Sequence, residues 1–92
     1  MQLTLEYAGQ IKRAAGVAAE SFELPAEAAV LDLLRNAADA HGDDLRRILF
    51  DGAGRVHPSL LVFVGDAQIR TGDAPALQPG DVVTVLSPIS GG

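Results

Sequence analysis

The chemistry-bearing residues of this chain are few, and the most suggestive stand at its end. Gly91-Gly92 follows Val82-Val83-Thr84-Val85-Leu86-Ser87-Pro88-Ile89-Ser90, a strand pattern running into a stiff, partly apolar tail. Two residues without Cβ let backbone thread a channel too narrow for side chains. The Gly92 carboxylate, with an unperturbed pKa of roughly 3.5, is ionised at neutral pH and is a poor electrophile. Adenylation by ATP would activate it as an acyl-phosphate anhydride open to a sulfur or amine nucleophile. Elsewhere the inventory is thin. His41 falls on the apolar side of a helical segment and His57 precedes a proline in a loop, neither with a partner at metal-ligand spacing. Asp43, Asp44, Asp66, Asp73 and Asp81 sit at turns or helix starts, where capping and turn hydrogen bonding are their expected work. No serine occupies a Gly-x-Ser-x-Gly elbow, and no Lys-Ser/Thr follows Gly52 and Gly54 as a phosphate loop requires.

The elements that must position that end follow from periodicity. Gln2 to Ala8 alternates, with Leu3, Leu5 and Tyr7 on one face, and Glu20 to Leu24 alternates again with Phe22 and Leu24 inward. These two strands read as a hairpin joined by a long loop, since Gly9 to Gly16 is short and bounded by glycines. From Ala28 to His41 the spacing of Val30, Leu33, Leu34, Ala37 and Ala38 is helical, with Asp32 early and Gly42 just past the end. Asp43 is the expected cap of a second short helix carrying Leu45, Ile48 and Leu49. Leu60 to Val64 reads as an interior strand buried on both faces, Gln68 to Arg70 as a short strand, and Val82 to Leu86 as the last strand. Gln78-Pro79-Gly80-Asp81 and Thr71-Gly72-Asp73 are turns. The layout is α+β: a mixed sheet of four to five strands packed on one main helix, spanning 1–87, with 88–92 an extended tail. Pairing of the first and last strands at the sheet centre would send the tail out from the sheet end.

Composition narrows the function. The 92 residues allow one small domain, and 48 % hydrophobic content suffices for its core. Absence of cysteine removes disulfides, thiolate metal sites and cysteine nucleophiles, so any sulfur chemistry must use sulfur from outside. A net charge of −5 argues against nucleic acid and suits docking on a basic protein patch. There is no membrane-length apolar run and no basic-then-apolar leader, so a cytoplasmic location is expected.

The chain resembles the ubiquitin-like sulfur carriers, the small subunit of molybdopterin synthase and the thiamine sulfur carrier among them. Tyr7-Ala8-Gly9-Gln10-Ile11-Lys12-Arg13-Ala14-Ala15-Gly16 is similar to their aromatic-Ala-x-x-Leu-Arg-x-x-x-Gly segment. Val30-Leu31-Asp32-Leu33-Leu34 is similar to their Val-x-x-Leu-Leu helix, and Phe63-Val64-Gly65-Asp66 stands where they often have Val-Asn-Gly. Leu77-Gln78-Pro79-Gly80-Asp81-Val82-Val83 resembles their Leu-x-x-Gly-Asp-x-Val turn and last strand; with the Gly-Gly end it is the specific signal. Before that end the chain reads Leu86-Ser87-Pro88-Ile89, where the molybdopterin branch commonly has Phe-Pro-Pro-Val.

The resemblance implies a β-grasp, ubiquitin-like fold and a protein cosubstrate rather than an enzyme. A ubiquitin-activating-enzyme-like adenylyltransferase would use ATP and magnesium to activate Gly92, with no cofactor held permanently by the carrier. A sulfurtransferase would then convert the adenylate to a thiocarboxylate. It further implies Gly91 as the clearance residue and Pro88, Ile89 and Ser90 as the inserted tail. Leu61, Phe63 and Leu86 are candidates for a docking surface, with core burial the favoured reading of all three. A molybdopterin synthase large subunit is one implied partner. Carriage of sulfur for tRNA thiolation, thiamine, cysteine or a secondary metabolite is the alternative, as is conjugation of Gly92 to target lysines. A β-grasp binding module with an incidental Gly-Gly end is a third reading.

Overall fold

The computed structural model describes residues 1–70 and 76–87. The expected turn at Thr71-Gly72-Asp73 and the tail from Pro88 to Gly92 lie outside them. The elements are β1 (Gln2–Ala8), α1 (Gln10–Ala15), β2 (Ala19–Glu23), α2 (Val30–His41), α3 (Asp43–Leu49), β3 (Leu61–Val64), β4 (Ala67–Ile69) and β5 (Val82–Leu86). Among the described residues five strands form one mixed sheet in the order β2-β1-β5-β3-β4. The first and last strands pair in parallel, Thr4 with Val82 through Ala8 with Leu86, and every other pairing is antiparallel.

Period-two alternation decides which face of the sheet is covered. Leu3, Leu5, Tyr7, Val62, Val83 and Val85 point to the helices and are buried. From α2, Val30, Leu33, Leu34, Ala37 and Ala38 meet them, all at 0 % exposure, with Leu45 and Leu49 of α3 closing one end. The start of α2 has no capping side chain on Ala29; instead Asp32 accepts a hydrogen bond from the Ala29 N–H at 2.9 Å. A carboxylate in the first turn also opposes the helix dipole.

Four local expectations are corrected. The connection from β1 to β2 is not an open loop but the helix α1. Its bounding glycines make it possible: Gly9 turns the chain at φ 62°, ψ −134°, and Gly16 ends the helix in the left-handed region, donating to Lys12 O at 2.9 Å. Ile11 and Ala15, four apart, bury the inner face of that turn and a half. Gly42 rather than Asp43 caps α3, leaving Asp43 and Asp44 in its first turn. The β3 strand begins at Leu61 and is buried on one face only, through Val62, because no helix covers the other side of the sheet among the described residues. The β4 strand spans Ala67–Ile69, one residue earlier than the sequence suggests.

Candidate functional site

The site is built around the end of β5, the middle strand of the sheet. The turn before it fixes its start: Asp81 Oδ2 accepts from the Gln78 N–H at 2.8 Å, and the Asp81 N–H donates to Gln78 O at 3.1 Å. Gly80, at φ 83°, donates its N–H to Gln2 O at 2.9 Å, and the Thr4 N–H donates to Asp81 O at 3.0 Å. That wiring puts Val82 beside Thr4 and sets the register of everything downstream. With Val83 and Val85 buried, Val82, Thr84 and Leu86 must face the uncovered side.

Register then assembles a patch on that side. Leu86 lies between Ala8 and Leu61, and Thr84 lies between Glu6 and Phe63. The Thr84 hydroxyl donates to Glu6 Oε1 at 3.1 Å. Leu61, Phe63 and Leu86 are each half-buried and stand outside the hydrophobic core. Core burial of these three, the favoured reading of the sequence, is therefore wrong. The continuous apolar run 60–64 hides the alternation that a less hydrophobic strand would have displayed. The sheet strands carry Glu6, Glu20 and Glu23 and none of the seven Lys and Arg residues, while Arg70, just past β4, lines a cavity with Leu61.

Ser87 is the last described residue before the tail, and the positions assigned to Pro88, Ile89, Ser90, Gly91 and Gly92 lie beyond it. Ser87 shares a small cavity of about 180 Å³ with Gln10, Arg47, Ile48, His57 and Leu60.

Both histidines have partners, His41 through Nε2 and His57 through Nδ1. His41 is held by the Glu20 carboxylate, which also accepts the Tyr7 hydroxyl at 2.6 Å, and its ring meets Tyr7 edge-on at 6.0 Å between centroids. Burial, and then the hydrogen bond and charge of Glu20, push the Tyr7 phenol well above its ordinary range. His57 Nδ1 accepts the Ser59 N–H at 3.2 Å. Among the described residues, no group of three or more His, Asp or Glu side chains stands close enough to hold a metal. Asp51 accepts the N–H groups of Ala53 and Arg55, bonds that hold its carboxyl below the usual range and brace the loop. The Tyr7–Glu20–His41 cluster is absent from the sequence reading. Its signal was the parity of Glu20 with Phe22 and Leu24, which turns a charged residue toward the covered face.

A mixed sheet grasping one long helix, with parallel first and last strands at its middle, defines a ubiquitin-like β-grasp protein. The ThiS family model matches residues 5–92, and the chain belongs to that family of ubiquitin-like sulfur carriers. Among solved structures it is similar to SAMP1 from Haloferax volcanii, with a TM-score of 0.89, 22 % identity and full coverage of both chains. It is also similar to the Haloferax volcanii HVO 2177 protein, with a TM-score of 0.81 and 30 % identity over 100 % of this chain and 87 % of that one. A third is the putative molybdopterin converting factor, subunit 1, from Pyrococcus furiosus, with a TM-score of 0.76 and 25 % identity over 97 % and 99 %. No curated protein matches the chain. No helix among the described residues is long and apolar enough to cross a membrane.

Proposed function

We propose that this chain is a sulfur carrier whose Gly92 carboxylate is adenylated and converted to a thiocarboxylate, and that it serves as the small subunit of a molybdopterin synthase. The observation that carries the reading is the placement of β5: a strand bonded on both sides leads directly into the Gly-Gly tail. The 25 % identity to a putative molybdopterin converting factor subunit supports the choice of pathway.

In the first step a carboxylate oxygen of Gly92 attacks the α-phosphate of ATP, held with magnesium by an adenylyltransferase partner, and pyrophosphate leaves. A persulfide sulfur on a sulfurtransferase then attacks the acyl carbon and AMP leaves; a thiolate supplied by the partner attacks the donor-side sulfur of the resulting acyl disulfide, forming a disulfide and releasing the thiocarboxylate. The carrier supplies the acyl group and its presentation. Gly91 gives clearance in the partner's channel, Pro88, Ile89 and Ser90 are the segment inserted there, and Leu61, Phe63 and Leu86 form the apolar contact. The molybdopterin synthase large subunit would collect the sulfur.

The test is incubation with the cognate adenylyltransferase, ATP, magnesium and a sulfur source, followed by intact mass. A gain equal to replacing one oxygen by sulfur is expected, and no gain from the Gly92 deletion. Higher-mass adducts joined to target lysines would instead establish a protein modifier. An unchanged mass, with the enzyme active on another carrier, removes both readings. Sulfur transfer to a molybdopterin precursor when the large subunit is added separates this pathway from other sulfur acceptors.

A further inference from the structure

The helical side of the molecule holds a cleft that the carrier chemistry does not use. It has a volume of about 860 Å³, within the range of ordinary binding sites, and lies between α2, α3 and the loop after α3. Arg35, Arg46 and Arg47 line it, together with Asp39, Asp51 and His57. Both carboxylates are already engaged. Asp39 takes Arg46 at 2.6 Å, and Asp51 takes two backbone N–H groups of its own loop. The donors are in surplus. Arg35 has no acidic partner and no hydrogen bond among the described residues; Arg47 donates Nε–H to Asp43 O at 3.3 Å and Nη2 to Asp44 Oδ1 at 2.9 Å, which leaves its Nη1 without a partner among the described residues. Because His57 Nδ1 accepts a backbone N–H, the neutral ring carries its proton on Nε2, which has no acceptor among the described residues. Phe50, 7 % exposed, contributes an apolar wall, and Gly52 and Gly54 leave the rim free of side chains.

We propose that this cleft is a docking site for a carboxylate-rich segment of a partner protein. Three guanidiniums against two carboxylates leave the lining one positive charge in excess on a chain whose net charge is −5, and Arg35 is the guanidinium without an ion pair among the described residues. The donors are spread over two helices and a loop rather than converging on a point. That arrangement suits charges spaced along an extended peptide better than one compact phosphate. A planar guanidinium also prefers the bidentate geometry of a carboxylate. Arg47 and His57 line both this cleft and the small cavity that contains Ser87, so an occupant of the cleft lies next to the point where the tail begins. The partner that receives the tail would thus hold the carrier from two sides: apolar contact on the open sheet, and acidic contact on the helices. This last step rests on the carrier reading for the partner's identity.

The test is a titration of the full-length, ¹⁵N-labelled chain with an end-blocked hexaglutamate peptide at low ionic strength, beside hexalysine and inorganic phosphate. Saturable shifts are expected at the amides of Arg35, Gly52, Gly54 and His57 with hexaglutamate alone. R35E/R47E should weaken that binding about tenfold, while K12E/R13E, the same change of net charge on α1, should leave it in place. Should R35E/R47E fail to fold, R35Q/R47Q set against K12Q/R13Q gives the same comparison. Equal weakening by both pairs, shifts scattered over the surface, or stronger binding of phosphate than of peptide would overturn the proposal. With the adenylyltransferase, R35E/R47E should raise the KM for the carrier and leave kcat unchanged; an unchanged KM overturns the two-sided grip. A wild-type chain that is never activated would fail the carrier reading, and the peptide titration would still judge the cleft.

Discussion

Tyr7 offers a single titration that tests how the Tyr7–Glu20–His41 cluster is built. It is the chain's single tyrosine, and there is no tryptophan, so phenolate absorbance in the near ultraviolet reports on one atom. The side chain is 4 % exposed, and its hydroxyl donates to the Glu20 carboxylate at 2.6 Å while His41 holds the same carboxylate. Ionising the phenol would bury a second negative charge beside the first and remove the proton that joins them. Burial is the largest cause of the upward shift, the Glu20 hydrogen bond the next, and the Glu20 charge the last. In the unfolded chain the phenol titrates near its ordinary value of about 10. The folded value is raised, so the stability contributed by neutral Tyr7 is fully present below pH about 10 and is lost as pH climbs from there toward the folded value. The slope approaches about 1.4 kcal/mol per pH unit, or roughly 2 kcal/mol within a unit and a half. Absorbance and far-ultraviolet circular dichroism, followed through the same alkaline series, should change together, because unfolding releases the phenol before it can ionise in place. Glu20→Gln keeps the burial and removes the charge, so its phenol should titrate lower than in the parent but still above the ordinary value. Half-developed phenolate absorbance near pH 10 with the dichroism intact would refute the argument.

Other substitutions test the frame that holds the site. Glu20→Ala leaves the Tyr7 hydroxyl without its acceptor and should lower stability by about 2 kcal/mol, seen as a Tm drop of roughly 10 °C for a domain of this size. Gly9→Ala forces a side chain into φ 62°, ψ −134°; the added Cβ meets only Leu86 Cδ1 at an ordinary 3.6 Å, so the expected loss of about 1–3 kcal/mol in urea unfolding is backbone strain rather than a clash. Asp81→Ala removes the bond to the Gln78 N–H and should lower stability by about 1 kcal/mol, with amide exchange speeding first at Gln78. Leu5→Ala, on β1 at 0 % exposure, should lower stability by about 2–5 kcal/mol in the same urea assay, whereas Val82→Ala on the open face should stay within about 0.5 kcal/mol.

The parts of the fold that were legible in the sequence are those where one local rule dominates. Gln2 to Ala8 alternates because one face meets the core and the other meets solvent, and Val30 to His41 repeats every three to four residues for the same reason. Gln78 to Asp81 announced a turn, and the structure shows why: the aspartate side chain closes it. Three things resisted reading. α1 is a helix of six residues, short enough that its bounding glycines looked like breakers until their positive φ values identified them as its ends. β3 is apolar on both faces, so composition could not say which face is covered; among the described residues the helices lie on one side of the sheet only, and that decides it. Arg35 and Arg46–Arg47 come from different helices, and only the packing of α2 on α3 turns separate solvated charges into a cleft.

The placement of β5 links these observations. An edge strand would offer the tail a mobile base; a central one does not. Its residues are bonded to β1 on one side and β3 on the other, so displacing Leu86 means breaking two ladders at once. The parallel pairing with β1 also dictates where the exit lies. Val82 begins opposite Thr4 and Leu86 ends opposite Ala8, so β5 stops where Gly9 bends the chain away into α1. At that corner the sheet carries Leu61 and Leu86 in one row with Ala8, and Ser87 turns toward the cavity shared with Arg47 and His57. An apolar row and a lining that contains Arg47 thus flank Ser87, the last described residue of the chain. Slipping the register of β5 by one residue would exchange Leu86 for Val85 on the open face and bury the wrong side chains. The register set at Asp81 and Gly80 is therefore what places the apolar row beside Ser87, and the Asp81→Ala variant probes the position of that row as well as stability.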